Sequence, residues 1–170
     1  MKKFLFGIAI ALFLNACATN TPADNITTVY LVRHAEKEND GTKDPSLSQQ
    51  GQVRATYLAQ LLNDVKLDAI YSTPYRRTTE TAAPVLTQSG LDSLTSYAGN
   101  DLEDVAQKIH AKQGTYLIVG HSNTTPQLVS ILIQRDVAPL EESDFDRLYK
   151  VTLHSDGDTH LEMLPYTPPS

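Results

Sequence analysis

From residue 27 onward, short apolar runs rich in β-branched residues alternate with longer stretches of helical periodicity, which restricts the chain to the α/β class. Thr28-Val29-Tyr30-Leu31-Val32 predicts a buried strand, Asp68-Ala69-Ile70-Tyr71-Ser72 a second, and Thr115-Tyr116-Leu117-Ile118-Val119-Gly120 the clearest of all. Residues 91–97 predict a weaker strand. Ser48 is placed to cap a helix reaching about Leu62, with Val53, Tyr57, Leu58, Leu61 and Leu62 on its inner face. Pro74 stands where a further helix starts, and Pro84 where that helix should end or kink. Residues 101–112 predict a helix with Leu102, Val105, Ala106 and Ile109 inward, and residues 125–135 another. Runs at 148–153 and 159–164 flank Asp156-Gly157-Asp158, which suits an antiparallel hairpin. The expected fold is a three-layer α/β sandwich: a mixed, mostly parallel sheet, helices on both faces through right-handed crossovers, and a C-terminal antiparallel hairpin. A chain of 170 residues suits one such domain, expected over residues 27–170.

The first residues read as targeting rather than fold. Lys2 and Lys3 form a basic head, and the apolar run over residues 4–14 is too short to span a bilayer but suits a secretory signal. Leu14-Asn15-Ala16-Cys17 resembles the bacterial lipobox, in which the cysteine is acylated and becomes the new N-terminus. The expectation is a signal peptide over residues 1–16, lipidation at Cys17, and a lipid-anchored tether over residues 17–26. That places the domain in the bacterial cell envelope, facing the periplasm, with Ala18 after the cysteine agreeing with the outer membrane. Cys17 is the only cysteine, so no intramolecular disulfide can form.

The formal net charge is -6, more negative still without Lys2 and Lys3, which excludes a general attraction for nucleic acid. A bound anion must meet a local basic cluster. Two such clusters leave strand candidates directly: Val32-Arg33-His34-Ala35-Glu36 and Val119-Gly120-His121-Ser122-Asn123. Ligands of open α/β sheets gather at the carboxyl ends of the strands, so these residues are placed to meet around one anion. Arg76-Arg77, shortly after the second strand, is a third basic element. Arg, His and Arg delivered from three strand ends would make a phosphate pocket with no metal and no cofactor. No Cys/His cluster has metal-ligand spacing.

Leu31-Val32-Arg33-His34-Ala35-Glu36 resembles the signature of the histidine phosphatase superfamily, the phosphoglycerate mutase-like proteins. Ser72-Thr73-Pro74-Tyr75-Arg76-Arg77-Thr78-Thr79-Glu80-Thr81-Ala82 is similar to that family's second motif, and Val119-Gly120-His121-Ser122-Asn123 to its later histidine motif. The resemblance implies that His34 is a nucleophile, transiently phosphorylated on a ring nitrogen, and that Arg33, Arg77 and His121 bind the phosphoryl oxygens. It selects Arg77 over Arg76, because Arg77 lies four residues before Thr81. Ala35 departs from the family's common glycine by one methyl.

The proton donor is the open part. Family members supply a glutamate, or an aspartate beside the later histidine, and here Ser122 occupies that second place. Asp101 is the nearest candidate for the first, although a helix-starting aspartate would look the same. Asn123 could donate to phosphate or cap the helix that follows, and Glu36 could line the pocket mouth or form a solvated charge pair. The implied activity is hydrolysis of phosphomonoesters, on a small or macromolecule-attached phosphate. The alternatives are a phosphohistidine or phosphoramidate (P–N) phosphatase, a phosphoglycerate mutase, or a non-catalytic binding lipoprotein.

Overall fold

The computed structural model describes residues 26–169; Cys17, the signal and nearly all of the tether lie outside them. Six strands and four helices follow in the order β1 (Ile26–Arg33), α1 (Gln49–Leu61), β2 (Ala69–Ser72), α2 (Arg76–Ser89), β3 (Thr95–Ser96), α3 (Leu102–Ala111), β4 (Thr115–Gly120), α4 (Thr124–Ile133), β5 (Arg147–His154) and β6 (Thr159–Pro165). The strands form one sheet in the order β3-β2-β4-β1-β5-β6. The pairs β2–β3, β2–β4 and β1–β4 are parallel, whereas β1–β5 and β5–β6 are antiparallel. This is the expected α/β sandwich with its terminal hairpin.

Side chains of successive strand residues point to opposite faces, and the two central strands are buried on both. Val29 and Leu31 of β1, with Tyr116 and Ile118 of β4, pack against Val105, Ile109, Leu128 and Leu132 of α3 and α4. Tyr30 and Val32, with Leu117 and Val119, pack on the other face against Leu58 of α1 and Ala82 and Val85 of α2. These two apolar layers hold the strand ends in place.

Three local expectations are corrected. The inner face of α1 is formed by Gly51, Arg54, Ala55, Leu58 and Ala59, with Leu62 just beyond; Val53 is 53% exposed and Leu61 38%. The face is turned because Arg54 enters the interior: its guanidinium pairs with Glu36 and donates to the Tyr166 carbonyl, so the charge arrives neutralised. The second correction concerns the expected helix end at Pro84, since this proline lies inside α2 without ending it. The missing N–H costs about 3 kcal/mol, but Thr81, Ala82 and Val85 around it are fully buried, and the helix stops only at Gly90, whose φ of 73° favours glycine. The third is the strand at residues 91–97, which shrinks to the two residues of β3.

Candidate active site

The parallel register builds the centre of the site. Arg33 at the end of β1 pairs with Gly120 at the end of β4, so His34 and His121 are the next residues on neighbouring strands. Their ring centroids are 5.5 Å apart. Ser72 of β2 pairs with Val119, which brings Thr73 to the same edge. A side chain at Gly120 would meet the hydroxyls of Thr124, Thr125 and Tyr97 at about 3 Å, so only glycine admits this close packing.

His34 is 4% exposed and forms the floor. Its backbone N–H donates to the Gly120 carbonyl, and Nδ1 lies 2.8 Å from the Ala35 carbonyl oxygen. A carbonyl only accepts, so Nδ1 carries the proton and Nε2 keeps its lone pair. Burial pushes the imidazole pKa down to about 3; the Ala35 carbonyl opposes this, and Arg33, His121 and Arg77 add to it. The Ala35 N–H donates to Thr81 Oγ1, which in turn donates to the Arg77 carbonyl, tying the nucleophile's loop to α2.

His121 has Nε2 2.9 Å from Thr73 Oγ1, and its backbone N–H donates to Thr124 Oγ1. Burial, then Arg77 and Arg33, lowers its pKa to about 4, so at neutral pH both rings are uncharged. Arg77 lies over the Tyr75 ring at 4.4 Å, and that ring stands edge-on to His121 at 5.2 Å. Asp44 faces the Arg77 guanidinium at 3.6 Å.

Arg33 is 4% exposed and its terminal nitrogens are occupied. Nη1 donates to the carbonyls of Glu141, Glu142 and Asp144, Nη2 to the Glu142 carboxylate, and the guanidinium lies 4.1 Å over Phe145. Its Nε is buried without a partner among the described residues. That orphaned donor suits an incoming anionic oxygen.

The remaining candidates stand elsewhere. The Glu36 carboxylate is held by Arg54 at 2.7–2.9 Å and is therefore neither a pocket-mouth ligand nor a solvated pair. Asn123 precedes α4 but its side chain makes no capping bond, and it is exposed. Asp101 precedes α3 in the same uncapped manner, and among the described residues its carboxylate makes no hydrogen bond or ion pair. Four residues that sequence reasoning missed complete the site: Thr73, Tyr75, Glu142 and Phe145. The first two lie inside the second motif, where their presence was a signal; Glu142 and Phe145 lie in a loop with no motif.

Comparison with known proteins bears on the family resemblance and on the fold. The model of the histidine phosphatase superfamily (branch 1) matches residues 29–98. Phosphoserine phosphatase 1 of Hydrogenobacter thermophilus is 43% identical over 68 residues, 36% of this chain and 32% of the relative, so the match spans about a third of that relative's length. The protein histidine phosphatase SixA, solved with tungstate, superposes with a TM-score of 0.70 at 19% identity, covering 82% of this chain and 97% of that one. A mycobacterial glucosyl-3-phosphoglycerate phosphatase gives 0.67 at 12% identity, covering 84% of this chain and 100% of that one. At these identities the structural likeness concerns the fold.

Proposed function

We propose that the chain is a member of the histidine phosphatase superfamily, whose model matches residues 29–98, and that it is a phosphatase that hydrolyses phosphomonoesters through a phosphohistidine on His34. The observation that carries this is the tautomer of His34: Nδ1–H is committed to the Ala35 carbonyl, leaving a bare Nε2 on the floor of a cationic site. Nε2 attacks phosphorus while the Arg33 Nε–H, Arg77 and His121 hold the oxygens that carry the developing charge. The alcohol departs, water attacks the phosphohistidine, and inorganic phosphate leaves. Similarity to a phosphoserine phosphatase over 68 residues supports an ester substrate.

Rapid acid-free denaturation during turnover should trap acid-labile phosphate on the wild-type protein and none on His34→Ala. A wild-type protein that hydrolyses phosphomonoesters without labelling His34 would overturn the reading.

A second reading, hydrolysis of P–N bonds, is favoured by Ser122, which stands where some family members place an acid. A departing imidazole needs little protonation, so such substrates tolerate that replacement. Rates on phosphoramidate and on an alkyl phosphate separate the two.

The envelope address belongs to the same proposal and rests on Lys2, Lys3 and the Leu14-Asn15-Ala16-Cys17 run. It implies a small or macromolecule-attached phosphate met outside the cytoplasm and no nucleic-acid partner. Metabolic labelling with a fatty acid should mark the wild-type chain and not Cys17→Ser.

A further inference from the structure

We propose that Glu142 is the group that protonates the leaving alcohol and then takes a proton from the attacking water, an assignment that rests on the phosphatase reading above.

Its carboxylate straddles the ends of the two strands that carry the histidines. Oε2 accepts from Arg33 Nη2 at 2.9 Å, next to His34, and Oε1 accepts from Ser122 Oγ at 2.9 Å, next to His121. Depth orders the participants. The Glu142 side chain is 83% exposed, whereas Arg33 and His34 are each 4% exposed. Attack and departure at phosphorus are in line. A nucleophile on the floor therefore sends the leaving oxygen outward, to the rim where Glu142 is tethered.

Three nearby carboxylates are already committed. Glu36 is clamped by Arg54. Asp44 Oδ1 accepts the Arg76 backbone N–H at 2.9 Å, at the start of α2, besides facing Arg77. Asp144 Oδ2 accepts the Glu141 backbone N–H and pairs with Arg147. Among the described residues Glu142 is held by a hydroxyl and a guanidinium, and both are groups that a phosphoryl oxygen would compete for.

That competition supplies the proton affinity. In the resting site the Ser122 hydroxyl and Arg33 hold the Glu142 pKa below its ordinary value. A bound phosphoryl group draws on Arg33 and sets negative charge beside the carboxylate, and both changes favour the protonated form. In the first half-reaction the Nε2–P bond forms, the P–O bond to the alcohol breaks, and the Glu142 proton goes to that oxygen. In the second, a water oxygen bonds to phosphorus, the N–P bond breaks, and the water's proton returns to Glu142.

The test is kcat/KM of wild type, Glu142→Gln and Glu142→Asp on two substrates, p-nitrophenyl phosphate and phosphoserine, with His34 labelling followed in parallel. Glu142→Gln should lose roughly 10²–10³-fold on the alkyl ester and less than about fivefold on the aryl ester, whose anion leaves unaided. It should also accumulate phosphohistidine on the aryl ester, and Glu142→Asp should recover part of the alkyl activity. Equal losses on both esters, or no loss on either, overturn the assignment while leaving the nucleophile intact. A wild-type protein that turns over neither ester and acquires no phosphate on His34 overturns the phosphatase reading with it.

Discussion

Thr73 Oγ1 lies 2.9 Å from Nε2 of His121, and its other neighbour is the hydroxyl of Thr78 at 3.0 Å. Both threonines are fully buried, and Thr78 Oγ1 in turn lies 2.8 Å from the carbonyls of Thr73 and Tyr75. The pair is a fixed hydroxyl rail at the base of the ring. Thr78 gives its proton to those carbonyls and accepts from Thr73, so Thr73 Oγ1 accepts from the Nε2–H of His121, and Nδ1 is the nitrogen left to donate to a phosphoryl oxygen when the bound anion draws a proton onto the ring. Thr73→Val keeps the shape and removes the hydroxyl. It should lower kcat/KM roughly tenfold, the value of about 1–1.5 kcal/mol for one hydrogen bond, while Thr73→Ser should stay near wild type. A valine variant with unchanged kinetics would dismiss the rail.

The depressed pKa values of His34 and His121 set the pH behaviour. Nitrogen-15 spectra of the imidazoles should show His34 as the Nδ1–H tautomer, with Nε2 bare, from about pH 8 to about pH 5. A His34 ring that titrates near the ordinary histidine value would contradict the buried, bare Nε2.

Stability should follow the same linkage. Between the ordinary value of 6.5 and the depressed values of about 3 and about 4, the unfolded chain binds more protons than the folded one. Stability is therefore full above pH 6.5 and falls as pH drops through that window, by about 1.4 kcal/mol per pH unit for the buried His34 and by less for the half-buried His121, whose charge solvent screens. Urea unfolding at neutral and acid pH should give a shallower dependence for His34→Asn than for wild type.

Arg54 and Glu36 hold α1 to the nucleophile's loop and to the C-terminal segment at Tyr166. The pair is almost enclosed, with side-chain exposures of 8% and 14%. Arg54→Leu strands the Glu36 carboxylate and should cost roughly 3–5 kcal/mol in denaturant melts. The double variant Arg54→Leu with Glu36→Leu should recover much of that loss, since no charge is then left unpaired.

Arg77 is cationic, 16% exposed and stacked on Tyr75. Arg77→Ala should weaken inhibition by inorganic phosphate by roughly 10–100-fold, from about 1.5–3 kcal/mol for a charged hydrogen bond. Arg77→Lys should restore less than its charge suggests, because a lysine lacks the planar fork. Equal phosphate inhibition in all three proteins would remove Arg77 from the site.

Strands β1, β4, β5 and β6, the hairpin turn and the inner face of α3 were legible in the sequence because each depends on neighbours within a few residues, through alternation, helical period or turn chemistry. The spacing of Arg33, His34, Arg77 and His121 was legible for a related reason: each follows a strand or opens a helix, and such ends are local features. What local pattern misjudged was the turned face of α1, where Val53 and Leu61 are apolar yet outward, because a buried arginine had found its carboxylate 18 positions earlier. The carbonyls that engage Arg33 lie 108 to 111 residues away, in a loop without periodicity or motif. Thr73 reaches His121 only because the register of β2 on β4 and of β4 on β1 aligns three strand ends. The chain's own pattern determined which groups could do the chemistry. Tertiary packing alone decided their tautomers, their depth and which carboxylate meets the rim, because those depend on contacts between segments that no local spacing encodes.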